Sequence, residues 1–426
     1  MFHILTIFAA ILILNRCGVS LGLALALGGA ALDLWAGHRG VEFVHDLHTA
    51  VTRPEMWLLM VIVALVMELG RFLAEQQNAS VILAVARRLG GRHGRAISLM
   101  AIPAAIGLLP MPGGALFSAP LVGQTVEEEC WTGAWKAAVN YWFRHVWEYW
   151  VPIFPVVILA MSIFEMPTWQ YMATMIPFSF LSLASGYLFL VRPHIAELAM
   201  VQYHEPVPWR RALFLWLPFK MVVLAALVLP HQVHRMAPGL SSSSAKMIAM
   251  LIGLTIGLAI IFWDEWGRFE HKPFAGLMKR SSLNMLVTLA GVMIFQSFLD
   301  SSGLLPEASA DLVAGGIPII MIVTLLPFVA GFVTGIAIGY VGPAFPLVIG
   351  LMEAEGSGLT PMATLALAFG FGYAGMMLSP VHLCFVLTKD YFVSPYRLVY
   401  RHLRGCVAAL MVGSVLIYAF LSYFGW

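Results

Sequence analysis

Apolar residues run along this chain in long blocks, separated by short segments that hold most of the charge. A helix needs about 20 mostly apolar residues to cross the hydrocarbon of a bilayer. Runs approaching or exceeding that length lie at 2–15, 18–36, 56–74, 134–163, 171–191, 212–230, 246–263, 283–300, 361–388 and 401–424, and each is predicted to be a membrane-crossing helix. Two further stretches, 97–126 and 312–352, are too long and too rich in Gly and Pro for plain spans. They are predicted to be re-entrant helical hairpins that enter and leave on one side. The predicted fold class is all-α: a polytopic membrane protein of about 10 transmembrane helices plus two hairpins.

Composition supports that reading. The chain has 426 residues, 60% hydrophobic and only 11% charged, where a soluble domain carries about a quarter charged residues. A net charge of +2 with no basic face gives no reason to expect a nucleic-acid partner. The lipid bilayer is the expected surrounding. Residues 2–14 lack a preceding basic segment and a following small-residue cleavage site, so they read as a retained first span. Eighteen of the 24 Lys and Arg fall on one side of the predicted layout and four on the other. By the positive-inside tendency the crowded side is cytoplasmic, which puts both termini outside, in a cytoplasmic (inner) membrane. The four cysteines are far apart and show no metal-ligand spacing.

The two halves repeat each other. Val66-Met67 with Phe72-Leu73 recur as Val292-Met293 with Phe298-Leu299, at an offset of 226. The same offset carries Gly113 to Gly339 and Pro120-Leu121-Val122 to Pro346-Leu347-Val348, while Pro152 corresponds to Pro380 at 228. The expected organisation is an N-terminal repeat 1–192, a cytoplasmic linker 193–211 and a C-terminal repeat 212–426. Each repeat has a hairpin (97–126, 312–352) and a broken helix (134–163, 361–388). An odd number of crossings per repeat makes the two inverted, the arrangement that places transporter binding sites near the midplane.

Candidate chemistry lies where the main chain must loosen. Gly113, Gly114, Ser118 and Pro120 mark the first hairpin; Thr334, Gly335, Gly339, Gly342, Pro343 and Pro346 mark the second. Proline removes a donor and glycine permits open backbone, so amides and carbonyls here need a ligand, water or protein partner. Gly335 and Gly339 can equally form a small-residue packing face. Pro152 and the Ser379-Pro380 pair are expected to interrupt their helices at mid-membrane, exposing helix N-termini that suit an anion, or else to kink them. Arg144, His145, Glu148 and His382 are intramembrane ionisable groups and candidate charge or proton carriers. Arg144 and Glu148, spaced i,i+4, could instead neutralise each other on one helical face. His145 and Glu148 could be two metal ligands, but no third is evident, so no metal is expected.

The stretches Leu108–Pro120, Gly331–Gly335 and Gly342–Pro346 resemble the DUF401 family of bacterial and archaeal integral membrane proteins. That family resembles the wider ion-transporter superfamily of citrate, dicarboxylate, gluconate and TRAP-type permeases. The kinship implies inverted repeats, re-entrant hairpins, a homodimer with scaffold and transport domains, and elevator-like movement. It would place substrate and coupling ion at Gly113, Gly114, Ser118, Gly339, Gly342, Ser379 and Pro380. No Ser-Asn-Thr tip motif is present, so sodium coupling and dicarboxylate specificity do not carry over. The expected function is secondary active transport of a small, anionic organic solute, coupled to H+ or Na+, with no other cofactor and no catalytic residues. The rival readings are a membrane-embedded metal or carboxylate enzyme using His145, Glu148 and His382, and a non-transporting assembly component.

Overall fold

The computed structural model describes residues 2–89, 94–108, 114–126, 131–196, 198, 207–264, 274–304, 318–354 and 357–426. Every regular element among them is helical. The N-terminal half opens with α1 (Phe2–Arg16), α2 (Leu21–Ala36), α3 (Val41–Thr52), α4 (Pro54–Ala74) and α5 (Gln76–Leu89). Next come a hairpin of α6 (Gly94–Gly107) and α7 (Ala115–Thr125), a broken helix of α8 (Gly133–Arg144) and α9 (Pro155–Ile163), and α10 (Thr168–Gly186), which runs on through a π turn to Val191.

From its hairpin onward the C-terminal half follows the same succession. A bent pair, α11 (Trp209–Leu215) and α12 (Leu217–Val228), precedes α13 (Pro230–Met236), α14 (Ser242–Asp264) and α15 (Arg280–Ser301). A hairpin of α16 (Ile319–Thr334) and α17 (Ile338–Met352) leads to the broken helix α18 (Pro361–Leu378) and α19 (Leu383–Tyr391), and then to α20 (Tyr396–Tyr423).

Among the described residues, six helical stretches are long and apolar enough to cross a membrane, or seven if the α11–α12 pair, bent by 42°, is one span. The chain is a multi-pass membrane protein. Among the expected spans, α1 and α2 are apolar but only 15 and 16 residues long. The sequence reading missed α3 because Glu42, His45, Asp46 and His48 dilute its apolar face. It also missed α5, whose helical register is amphipathic rather than apolar throughout.

Packing is reciprocal between the halves. Helix α2 lies along α15, and α14 lies along α4. The second hairpin arm α7 rests on α19, and its counterpart α17 rests on α9. The last helix of each half, α10 or α20, packs on the other half's broken helix, and α10 and α20 also meet each other. The α2–α15 crossing is close enough that a Cβ at Gly22 would overlap the Val287 carbonyl and one at Gly291 the Gly22 carbonyl. With lipid as apolar as any side chain, such backbone approach is what holds membrane helices together.

Polar side chains pin the rest. Glu68 and Arg71 form an ion pair (2.9 Å), and Arg71 also reaches Ser282 of α15. Asn78 belongs to a sequence matching a glycosylation site, yet it is buried: it donates to the Phe72 carbonyl and accepts from Arg211 at 2.6 Å. Trp135, Trp142 and Trp147 each donate an indole N–H to a buried carbonyl, of Leu190, Ser182 and Ala104. These three tryptophans serve packing, whereas Trp169 is exposed.

The loop between α2 and α3 carries a charge cluster. His38 Nδ1 lies 2.8 Å from Asp46 and 3.0 Å from Asp33. Hydrogen bonding to the Asp46 carboxylate raises the His38 pKa above its ordinary 6.5. A raised folded pKa gives stability that is fully present below the unfolded value and is lost as pH rises through the folded one. The thermal midpoint in detergent should therefore fall further for the wild type than for Asp46→Asn as pH rises from about 6 to about 9. Parallel curves for the two proteins would refute this coupling.

Candidate functional site

The two broken helices are built by local rules. Helix α8 stops at Arg144, the chain turns through 145–154, and α9 starts at Pro155, its first helical residue. Pro152 and Pro155 lack the N–H that would continue the helix ladder. Glu148 therefore leaves the helical face that the i,i+4 spacing suggested it would share with Arg144. The second break is tighter: α18 stops at Leu378, Ser379-Pro380-Val381-His382 interrupt it, and α19 starts at Leu383.

Each break leaves carbonyls that hydrocarbon cannot satisfy. Tyrosine hydroxyls meet them. Tyr373 of α18 donates to the His145 carbonyl at 2.6 Å, and Tyr141 of α8 donates to Met377 at 3.1 Å, so each half serves the other's break. Tyr171 donates to the Tyr149 carbonyl (3.2 Å), Tyr400 to Leu378 (2.8 Å) and Tyr396 to Pro380 (3.1 Å).

Each hairpin tip sits on the break of its own half. At the second tip Gly335 ends α16 with φ +66°, and its N–H donates to the Gly331 carbonyl. Ser379 donates its hydroxyl to the Phe332 carbonyl at 2.6 Å. A Cβ on Gly335 would stand 2.8 Å from the His382 nitrogen and 2.9 Å from Ser379 Oγ. At the first tip the Arg144 Nη1 donates to the Ile106 carbonyl at 3.4 Å. A Cβ on Gly114 would overlap the Arg144 guanidinium, and one on Gly107 the Arg144 carbonyl. Gly113 lies outside the described residues.

A cavity of about 510 Å³ opens between these parts. Its wall includes Arg144, His145 and Glu148 at the first break and His382, Leu383 and Cys384 at the second. The second tip contributes Gly335–Ile338, and α9 contributes Phe154, Pro155 and Val156. Asn284 and Thr288 of α15 add polar groups, and Val66, Met67 and Met285 add apolar ones. The N-terminal ends of α9, α17 and α19 all face it. Helix N-termini carry free N–H groups and a partial positive charge, here next to the buried Arg144.

The cavity thus gathers Gly335, Arg144, His145, Glu148 and His382 from the expected residues. The others stand around it. Ser118 is buried in α7, donating to the Ala115 carbonyl, and Pro120 lies further along that helix. Thr334 turns back to the Ala330 carbonyl. Gly339, Gly342, Pro343 and Pro346 are buried within α17, where Gly342 faces Val292 of α15. Pro152 and the Ser379-Pro380 pair shape the breaks without lining the space. Sequence reasoning missed Cys384 and Tyr141, because neither has a partner nearby in sequence. Asn140 was also missed; it donates to Thr388 at 3.2 Å and so ties α8 to α19.

The family model for "Protein of unknown function (DUF401)" matches residues 2–422. The chain belongs to the DUF401 family. A comparison with curated proteins finds no match. Among solved structures, this DUF401 protein shares its fold with the YdaH transporter of Alcanivorax borkumensis, a crystal structure described as having an unusual topology. The TM-score is 0.62 at 18% identity, over 91% of this chain and 90% of that one.

Two substitutions probe the loosened backbone of this DUF401 chain. Gly335→Ala should lower the thermal midpoint, since a left-handed residue with a side chain costs about 1–2 kcal/mol before the contact with His382. Tyr373→Phe should also destabilise, by about 1–3 kcal/mol, by leaving the His145 carbonyl without its donor. Wild-type unfolding curves for both variants would contradict the assigned roles.

Proposed function

We propose that this chain is a secondary active transporter of a small, anionic organic solute. The observation that carries the reading is the cavity itself: it is assembled from both halves, and the second segments of both broken helices and the second arm of one hairpin point their N-termini at it beside Arg144. Unwound backbone and half-helix ends at a repeat interface are how transporters hold a charged solute in the membrane. The fold shared with a protein described as a transporter supports the class.

In this proposal, residues 1–192 and 212–426 are inverted repeats, with both termini outside a cytoplasmic membrane. The two hairpins and two broken helices move as one body against α2, α4, α14 and α15, in the manner of an elevator, within a homodimer. Arg144 and the α19 N-terminus bind the solute's negative group. Glu148 faces the same space and can take up a proton as the cargo leaves, so proton coupling is favoured over sodium.

Purified protein in liposomes should accumulate at least one member of a panel of labelled organic anions when a proton or sodium gradient is imposed. Arg144→Gln should weaken solute binding about tenfold to about a hundredfold, the cost of losing a charged hydrogen-bond partner. Absence of gradient-dependent flux across the panel, with folded protein in the vesicles, would remove the reading.

A further inference from the structure

The two breaks bring together a set of side chains that neither half holds alone. One ring nitrogen each of His145 and His382 and the Cys384 sulfur lie within 4.8 Å of one another. All three line the cavity, as does Glu148. The histidines are 2% and 6% exposed, so their polar atoms look inward. The two rings meet edge to face with centroids 4.9 Å apart.

Their partners fix which nitrogen is available. His145 Nδ1 is 2.7 Å from the Tyr141 carbonyl, which can only accept, so Nδ1 carries the proton. His382 Nδ1 is 3.4 Å from the Met376 carbonyl and 3.0 Å from the Tyr141 hydroxyl, which already donates to Met377. Nδ1 carries the proton there too. A neutral imidazole protonated at Nδ1 presents a lone pair at Nε2. Metal-binding histidines are held in this way: the outer nitrogen donates to a carbonyl or hydroxyl, and the inner one faces the metal. The backbone and hydroxyl of one residue, Tyr141, orient both rings.

We propose that His145, His382 and Cys384 bind a transition-metal ion, Zn2+ by preference, with a fourth position open to the cavity. Two imidazoles and a thiolate suit a borderline or soft ion, whereas Na+, Mg2+ and Ca2+ prefer oxygen. Three protein ligands with one open position is the pattern of a zinc site that accepts an outside ligand. Binding converts the Cys384 thiol to a thiolate and releases its proton to water. A carboxylate of the carried solute takes the open position, with Arg144 on its other side; this last step rests on the transport reading, and the binding of the ion does not.

The test uses the full chain in detergent, carrying no polyhistidine tag, stripped with chelator and titrated with Co2+ and Zn2+. Saturable uptake of one ion per chain is expected, with the near-ultraviolet charge-transfer absorption of a Co2+–thiolate bond. Cys384→Ser should abolish that band and His382→Ala should weaken Zn2+ binding at least about tenfold, while Tyr141→Phe, which removes the outer hydrogen bond of His382 together with the donor to the Met377 carbonyl, should weaken it about tenfold to about a hundredfold. Monodisperse elution and the metal-free unfolding midpoint identify any variant that fails to fold, and Cys384→Ser changes one atom. No saturable uptake, or a band that survives Cys384→Ser, overturns the site and leaves a hydrogen-bonded cluster only. Metal binding without solute flux upholds the site and removes the transport reading. Flux that continues at the untreated rate in chelator overturns the link between ion and solute.

Discussion

Inside a bilayer no water is at hand for a main-chain N–H or C=O that leaves its helix, and each such group costs several kcal/mol if it stays unmet. The structure is organised around that constraint. It breaks two helices and turns two hairpins in its interior, and then supplies partners for the groups set free. The Tyr141 and Tyr373 hydroxyls cross from one half to cap carbonyls at the other half's break, while Ser379 and Arg144 serve carbonyls at the hairpin tips. The donors come from rigid, buried helices, so a break and its cap are fixed together.

The consequence is asymmetric. Carbonyls at the ends of α8 and α18 are satisfied by protein, but the N-terminal ends of α9, α17 and α19 face a cavity. A site built this way presents donors and positive potential and has few acceptors, apart from Glu148 and the two histidine Nε2 atoms. Its chemistry follows from which end of each broken helix is capped, more than from any single side chain. Reciprocal contacts between the halves make the cavity possible, since each hairpin's second arm leans on the other half's broken helix.

Much of this was legible in the sequence because proline and glycine act locally. Pro152 and Pro380 marked the two breaks, and Gly335 marked the second tip, since each restricts or frees the backbone wherever it stands. The extent of the breaks was less legible. The first begins seven residues before Pro152, at His145, so the helical spacing of Arg144 and Glu148 suggested a face that the chain does not form. Contacts between halves were illegible altogether. Nothing near Cys384 in sequence indicates His145, and nothing near Tyr141 indicates Met377; only the packing of α8 against α19 and α18 joins them. Of the glycines and prolines expected at the site, Gly339, Gly342, Pro343 and Pro346 are buried in α17, where Gly342 packs against Val292 of α15.

Amide hydrogen exchange read by mass spectrometry, on the protein in lipid nanodiscs, addresses the shared premise most directly. Peptides covering 145–154, 335–338 and 379–384 should exchange far faster than the flanking α8 and α18, because their N–H groups border a water-reachable cavity in mid-membrane. Protection of those peptides equal to that of the intact helices would mean that the main chain there is neither loosened nor open to a ligand, and the site described here would not exist.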